Sequence, residues 1–146
     1  MFGSVKIKNR FLTAISLLCV ALFVAAAFLL LRSSAPDTIA INGANVPLGV
    51  SDDGDISAFL RLCGYELIQT VSDREITVPV VWNDVYTEYQ ELQRAQGFDL
   101  APYKGKPSRE LTLDCGDEYV TLLMCEDRII AAHINGTERT AKPLLK

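Results

Sequence analysis

The sequence predicts an α+β domain that follows a single transmembrane helix. Three observations lead to this prediction: an uncharged apolar run near the N-terminus, two segments with helical periodicity, and three alternating runs in the last third of the chain. We expect the element order α-β-β-α-β-β-β, with both helices packed on one face of an antiparallel sheet.

Residues 11–31 form the predicted transmembrane helix. None of these 21 residues is charged, and a helix of this length spans about 32 Å, which matches a hydrocarbon core of roughly 30 Å. Lys6, Lys8 and Arg10 precede the run, and Arg32 alone follows it directly. Residues 1–10 should therefore be cytoplasmic and the C-terminal domain extracellular, in a single-pass protein of the cell membrane. A secretory signal cleaved near Ala27 is the alternative.

The outer part of the chain is acidic. All 18 acidic residues follow Arg32, against ten of the 14 basic residues, which leaves a net charge of about −8 beyond Arg32. Nucleic acid requires clustered Lys and Arg side chains, so no nucleic-acid partner is expected. The acidity is typical of a solvated surface that keeps a domain soluble.

Residues 32–50 are predicted to be a linker with one short edge strand at residues 38–41, because prolines and glycines interrupt the segment. The domain proper, residues 51–137, should begin with a helix that Ser51 and the neighbouring aspartates cap. Gly64 ends this helix. Its apolar stripe consists of Ile56, Phe59, Leu60 and Cys63.

Residues 65–71 and 75–80 are predicted to form a hairpin that turns at residues 72–74. A second helix should begin at Asn83 or Asp84 and end at Gln96. Its aromatic residues fall near one face, together with Trp82. Such a stripe is either a platform for sugar rings or the apolar side of a helix packed on a sheet, and we favour the second interpretation.

Residues 95–106 are dense in glycine, lysine and aromatic residues, but we interpret them as a connector. Gly97 follows the last helical residue, where a left-handed conformation commonly ends a helix, and Phe98 supplies the accompanying apolar contact. Residues 61–67 and 94–100 share the pattern Arg-x-x-Gly-aromatic-acid-Leu. Two similar helix ends explain this repeat without any function.

The last third of the chain is predicted to be a three-stranded meander, residues 109–115, 118–125 and 128–134, with two-residue turns. Alternation places His133 on the core face, beside Leu113 and Val120. The opposite face carries more apolar residues than a solvent-exposed sheet face is expected to carry. Its exposed patch is predicted to consist of Tyr119, Thr121, Leu123, Ile130 and Ile134.

We predict that this patch docks another envelope protein or a second copy of the chain, because both helices are expected on the other face. The alternative is that the linker and the C-terminal tail, residues 138–146, fold across it.

Little in the sequence indicates catalysis. His133 is the only histidine, so a packed neutral imidazole is favoured over a catalytic base. The cysteines lack metal-binding spacing; we expect Cys63 and Cys115 to be buried thiols, with a disulfide between them as the alternative, and Cys125 to be a free thiol on the other face. No cofactor, metal site or catalytic residue is predicted.

Three stretches carry a resemblance to a known family: GYELIQTVSDREITVPV, VYTEYQELQRAQGFDLAPYKGK and the terminal DRIIAAHI. Together with the N-terminal anchor, they resemble the domain of unknown function 4830, a group of small membrane-anchored proteins of Gram-positive bacteria (Firmicutes). The resemblance covers about residues 55–135 and departs at Ala131 and Ala132, where the family favours glycine. It implies a bacterial origin and this topology, and it implies no activity.

The sequence thus favours a membrane-anchored extracytoplasmic interaction or sensory module of the bacterial cell envelope, without enzymatic activity. A small envelope hydrolase that uses carboxylates and a binding domain for an envelope polymer are the alternatives. Exposed Trp82 and Tyr86 side chains would favour the polymer-binding domain, and two carboxylates that face each other in a cleft would favour the hydrolase.

Overall fold

The centre of the fold is a five-stranded antiparallel sheet, with a separate two-stranded hairpin and two helices around it. A computed structural model describes residues 36–136 and 140–145. Along the chain, the elements are β1 (Thr38–Ile41), β2 (Ala44–Pro47), α1 (Asp53–Leu62), β3 (Gln69–Thr77), α2 (Asp84–Ala95), β4 (Pro107–Asp114), β5 (Tyr119–Cys125), β6 (Arg128–Asn135) and β7 (Ala141–Pro143). The large sheet has the spatial order β3-β4-β5-β6-β7.

The predicted α+β class and the antiparallel pairing are confirmed. The predicted membrane span, residues 11–31, lies outside the described residues. Within the described part of the chain, no helix has both the length and the apolar character that a membrane crossing requires.

Both helices begin and end where the sequence predicts. The Asp52 carboxylate accepts a hydrogen bond from the Asp55 amide at 3.1 Å, and the Asn83 side chain accepts one from the Tyr86 amide at 2.9 Å. At the C-termini, Gly64 and Gly97 have φ values of +90° and +97°. Each is followed by an aromatic residue whose amide donates back to the last helical turn, which confirms that the repeated pattern is a helix-ending motif.

The two helices pack on opposite faces of the sheet, so the prediction that they share one face is wrong. The first core cluster joins α1 and the β1-β2 hairpin to one sheet face and includes Ile39, Ile41, Val46, Phe59, Leu60, Leu111, Leu122, Ile129, Ala132 and Ile134. The second core cluster lies on the other face and consists of Val78, Leu100, Tyr103, Leu123, Cys125, Ile130 and Ala131, against which Ile76, Trp82 and Tyr89 pack. The hairpin and α1 cover the first face, and α2 covers part of the second.

Residues 72–74 do not form the predicted turn, because β3 is a single strand from Gln69 to Thr77, with one register shift between Thr70 and Ser72. The polar residues that indicated a turn are strand residues at the edge of the sheet. Arg74 lies directly opposite Glu110 on β4, and Asp73 forms a 2.6 Å ion pair with Arg109. An edge strand with both faces near solvent shows no apolar alternation, and its composition therefore resembles that of a loop.

A β-bulge in β6 overturns part of the predicted face assignment. The β5-β6 register pairs Leu123 with Ala131 but Met124 with Ile129, so Ile130 is an additional residue. Because strand side chains alternate, one extra residue reverses every later assignment. Ile134 consequently belongs to the first core cluster, and His133 lies on the face of the second cluster and not beside Leu113 and Val120.

The domain extends beyond its predicted limits at both ends. Residues 38–50, predicted to be mainly linker, contain a complete hairpin whose Asn42-Gly43 turn has positive φ at both positions. Leu48 is 1% exposed, and its carbonyl accepts from the Ile129 amide at 2.8 Å. In the predicted C-terminal tail, β7 pairs with β6 and Leu144 is 2% exposed.

The outer edge of β6 is closed by three different segments of the chain. Residues 48–50 pair with its beginning, and β7 pairs with its end. Between them, the Gln93 side chain accepts from the Ala132 amide at 3.0 Å and donates to the Ala132 carbonyl at 3.1 Å. Gln96 donates to the same carbonyl at 3.2 Å and accepts from the Leu144 amide at 2.6 Å. Two side-chain amides, one from the last turn of α2 and one from its C-cap residue, thus replace a strand.

We predict that Gln93→Leu lowers the free energy of unfolding by about 2–4 kcal/mol, because it removes two hydrogen bonds and leaves the Ala132 amide buried without a partner. Denaturant unfolding of the full-length chain in mild detergent measures this change. Glu91→Leu, at an exposed position of the same helix, is the matched control and should change stability by less than about 0.5 kcal/mol. Equal effects of the two substitutions would contradict the proposed role of the amide.

Candidate functional site

A groove of about 840 Å³ lies between α2 and the part of the sheet that this helix leaves uncovered. One wall consists of α2 side chains, and the floor consists of side chains from the strands. The lining residues that the following paragraphs use are Arg74, Val85, Tyr86, Glu88, Tyr89, Glu110, Thr112, Thr121, Leu123, His133 and Asn135.

The floor of the groove follows the cross-strand register. Thr112 on β4 is paired with Thr121 on β5, which is paired with His133 on β6. Directly paired residues project from the same face, so the three side chains form a row perpendicular to the strands. Because β3 contributes Arg74 at one end and β7 contributes Ala141 at the other, the lining extends across all five strands.

Trp82, which precedes α2, and two tyrosines of α2 form a ladder of aromatic rings, and the two tyrosines line the wall of the groove. Trp82 and Tyr86 stack with 6.3 Å between ring centroids, and Tyr86 meets Tyr89 at an interplanar angle of 77°. Tyr89 in turn contacts His133 edge-on at 5.4 Å. The ladder results from helical spacing, since residues three and four positions apart lie on the same side of a helix. It also connects the wall to the floor.

Trp82 itself is poorly placed to stack on a ligand. Its indole nitrogen donates to the Pro79 carbonyl at 2.9 Å, and the ammonium group of Lys104 lies 3.9 Å from the ring centroid. The lysine therefore occupies one face of the indole as a cation–π partner. Tyr86 and Tyr89, and not Trp82, are the aromatic residues that line the groove.

An ion pair lies at the β3 end of the groove. The Nε and Nη2 atoms of Arg74 both donate to Oε1 of Glu110, at 2.9 Å and 2.6 Å. The Arg74 side chain is exposed, whereas that of Glu110 is 21% exposed. Arg74 is the one Lys or Arg residue among the described residues that line the groove, and Glu110 neutralises its charge.

His133 is held as a neutral base on the floor of the groove. Its Nδ1 atom lies 2.9 Å from the Tyr89 hydroxyl. Burial lowers the pKa of His133 below its usual range, and this effect exceeds the opposing effects of the negative charge of Glu110 and a hydrogen bond with Asn135. Burial raises the pKa of Tyr89 well above its usual range, so both partners are uncharged near neutral pH.

Two threonine hydroxyl groups lie on the floor of the groove, and one of them, that of Thr121, is buried. The Thr121 hydroxyl donates to the Asn135 side-chain oxygen at 3.2 Å. Thr112 is half-buried in the same row, and its hydroxyl is both a donor and an acceptor. Neutral, paired polar groups surrounded by aromatic and aliphatic surface are typical of small-molecule and polymer binding sites.

The five residues of the predicted docking patch do not form an exposed surface. Leu123 and Ile130 are 4% and 2% exposed, because α2 and the segment after it cover the face that was expected to be free. Ile134 lies on the opposite face, and Tyr119 is exposed. Thr121 and Leu123, however, line the groove. The predicted patch therefore contributes two residues to the candidate site.

Sequence reasoning missed the residues that make this groove a site. Arg74 was predicted in a turn, His133 on the wrong face, and Glu110 and Thr112 on a face without a covering helix. The pattern of cross-strand polar residues on β4 and β5 was visible in the sequence. Its significance depends on the position of α2, which no local pattern determines.

The three described cysteines are free thiols. Cys63 and Cys115 are half-buried against the first core cluster, where buried thiols were predicted. Cys125 is buried in the second cluster, on the face that the alternation predicts. Burial raises the pKa of Cys63 to about 12, which makes its thiol unreactive. Within residues 36–136 and 140–145, no group of three or more His, Cys, Asp or Glu side chains is arranged to hold a metal ion.

We predict that acid weakens the fold through His133. Its pKa is lower in the folded chain than in the unfolded chain, so the unfolded chain binds more protons, and the free energy of unfolding falls as the pH drops below about 6.5. Thermal unfolding should show a smaller loss of stability between about pH 7 and pH 5 for His133→Gln than for the wild type. The chain contains one histidine. If the stability of His133→Gln and that of the wild type depended on pH in the same way, this assignment would be contradicted.

No protein-family model, curated protein or solved structure matches the chain. The resemblance to the domain of unknown function 4830 therefore stays a prediction.

Proposed function

We propose that the chain is a non-enzymatic binding module of the bacterial cell envelope and that the groove beside α2 is its ligand site. Residues 11–31 would hold it in the cell membrane, with the folded domain outside. The groove carries the proposal: its volume of about 840 Å³ falls in the range of ligand sites, and its walls combine apolar and aromatic surface with a few convergent polar groups.

The groove is built on regular secondary structure. Its floor residues are strand residues in register across the sheet, and its wall residues lie on a helix capped at both ends. The side-chain amides of Gln93 and Gln96 attach this helix to the edge of β6. A site on rigid elements is preorganised, so a ligand has little ordering to induce on binding.

The polar contacts of the groove favour binding over catalysis. A hydrolase that uses carboxylates requires a side chain free to exchange a proton with its substrate. Among the described residues, two carboxylates line the groove: Glu110 is held by two hydrogen bonds from Arg74, and Glu88 is an exposed residue of α2. Nδ1 of His133 is held by Tyr89. We therefore prefer a binding role to the hydrolase alternative.

Exposed apolar side chains near the start of α2 add an interaction surface. Val80, Val81 and Val85 are 67%, 85% and 71% exposed, and Val85 also lines the groove. Large apolar side chains exposed beside a groove are typical of surfaces that contact a ligand or a partner.

The location of the domain follows from the positive charges before residue 11. We predict that protease added to intact protoplasts degrades residues 33–146 of the full-length protein. A known cytoplasmic protein should survive the same treatment, as the control for membrane integrity. Protection of the domain under conditions that digest a known external protein would contradict the extracytoplasmic location.

We predict that filling the groove abolishes ligand binding without unfolding the domain. Thr112→Trp places a large ring on the half-buried floor, and Thr70→Trp at an exposed position of β3 is the matched control. Immobilised wild-type protein and the control should retain the same component of solubilised envelope, and Thr112→Trp should retain at least about tenfold less, because steric exclusion removes more than 1.4 kcal/mol of binding free energy.

The same experiment separates binding from hydrolysis. The envelope component that the wild type retains should remain chemically intact. The component that Glu110→Gln retains should be chemically the same. Release of a cleaved product by the wild type that Glu110→Gln eliminates would replace our proposal with the hydrolase alternative. Equal retention by Thr112→Trp and the wild type would show that the groove is not the site.

A further inference from the structure

We infer that the groove binds a linear, uncharged oligosaccharide segment, such as a strand of an envelope polysaccharide. The inference rests on the proposed function, because it assigns a ligand class to the same groove. Three properties of the groove lead to it: its length, the hydrogen-bonding character of its floor and, among the described residues that line it, the lack of a Lys or Arg side chain outside the ion pair.

The length of the groove suits an extended ligand. Its lining residues come from all five strands, and four inter-strand spacings of about 4.8 Å give a floor roughly 19 Å long. The row from Thr112 through Thr121 to His133 runs perpendicular to the strands. Thr121, in the middle of the row, is 3% exposed, so a chain of several sugar rings would lie above it and contact Thr112 and Asn135 on either side. A single ring would leave most of the floor empty.

The floor offers groups that both donate and accept hydrogen bonds. Thr112 provides a half-buried hydroxyl and Asn135 an exposed side-chain amide, whose oxygen accepts from the buried hydroxyl of Thr121. Sugar hydroxyls also donate and accept, and such groups match a surface of hydroxyls and amides better than a surface of acceptors alone. Water molecules can complete the contacts at positions where a sugar hydroxyl lies beyond direct reach.

The charges of the groove disfavour an anionic ligand. Arg74 is committed to Glu110 at 2.6 Å, and Glu88 adds a carboxylate on the α2 side. Phosphate and carboxylate groups are most strongly recognised by a cationic side chain that is free to form bidentate hydrogen bonds. An uncharged polysaccharide therefore fits the groove better than a phosphate-rich or uronic acid polymer.

The tyrosines of the groove wall also suit a sugar ligand. Tyr86 is half-buried, and its ring lies between the stacked Trp82 and the perpendicular Tyr89. Such a ring presents apolar surface to the C–H groups of a sugar and a hydroxyl to its polar edge.

An extended peptide is the competing ligand, and its preferred site differs. Peptides commonly add a strand to a free sheet edge, where backbone groups supply the hydrogen bonds. The outer edge of β3 is such an edge, but it runs along the strand direction and not along the groove. Its charged residues Asp73, Arg74 and Glu75 are of the kind that discourages edge pairing.

Isothermal titration of the full-length chain with neutral β-linked glucose and N-acetylglucosamine oligomers tests the inference. A detergent without a sugar headgroup is essential, because a glycosidic detergent would compete for the groove. Affinity should rise from the monomer to about the tetramer and then level off, because longer chains extend beyond a floor of roughly 19 Å. A blocked neutral tetrapeptide serves as the probe for peptide binding.

Hydroxyl deletions locate the contact. Thr112→Val keeps the shape of the side chain and should weaken oligosaccharide binding about five- to tenfold. Thr70→Val, an exposed position on β3, should leave binding unchanged. Retained folding of each variant is checked by its thermal midpoint.

The possible results separate this inference from the proposed function. If no neutral oligosaccharide binds while Thr112→Trp still abolishes retention of an envelope component, the ligand class is wrong and the groove remains a binding site. Preferential binding of the tetrapeptide, or affinity independent of oligomer length, would likewise overturn the inference. If Thr112→Trp also has no effect, the proposed function fails as well.

Discussion

The outer edge of β6 is the constraint on which the rest of the fold depends. A strand in the middle of a large sheet requires backbone partners on both sides, and β7 pairs only with residues 133–135. The remaining edge is completed by residues 48–50 and by the amides of Gln93 and Gln96. Because Gln96 also accepts hydrogen bonds from the amides of Leu144 and Leu145, this edge connects the beginning, the middle and the end of the domain.

The attachment of α2 to this edge creates the groove. Hydrogen bonds at Ala132 hold the helix toward the β6 side of the sheet. The face of β3 and β4 on the same side therefore has no helix above it, and Arg74, Glu110 and Thr112 line open space. The Ile130 bulge is equally important, because it rotates His133 out of the first core cluster and onto the floor. Packing geometry and strand register thus produce the site together.

The polar groups of the groove are arranged in pairs. Arg74 with Glu110, Tyr89 with His133 and Thr121 with Asn135 each satisfy one another. Paired groups in a partly buried site fix side-chain positions and avoid the cost of unsatisfied donors and acceptors. Such an arrangement supports recognition by shape and hydrogen bonding. It is less suited to proton transfer, which requires a group that changes its protonation state easily.

The sequence by itself determined the local structure of this protein. Caps at Asp52 and Asn83, helix ends at Gly64 and Gly97 and the meander of the last third depend on interactions within a few residues, and all are confirmed. Tertiary structure decided which face each helix covers, that β3 is an edge strand, and that residues 38–50 and 141–145 belong to the domain. The bulge at Ile130 and the long-range bonds of Gln93 have no local signature. The groove therefore could not be predicted from sequence, because its walls meet through contacts between residues some 40 positions apart.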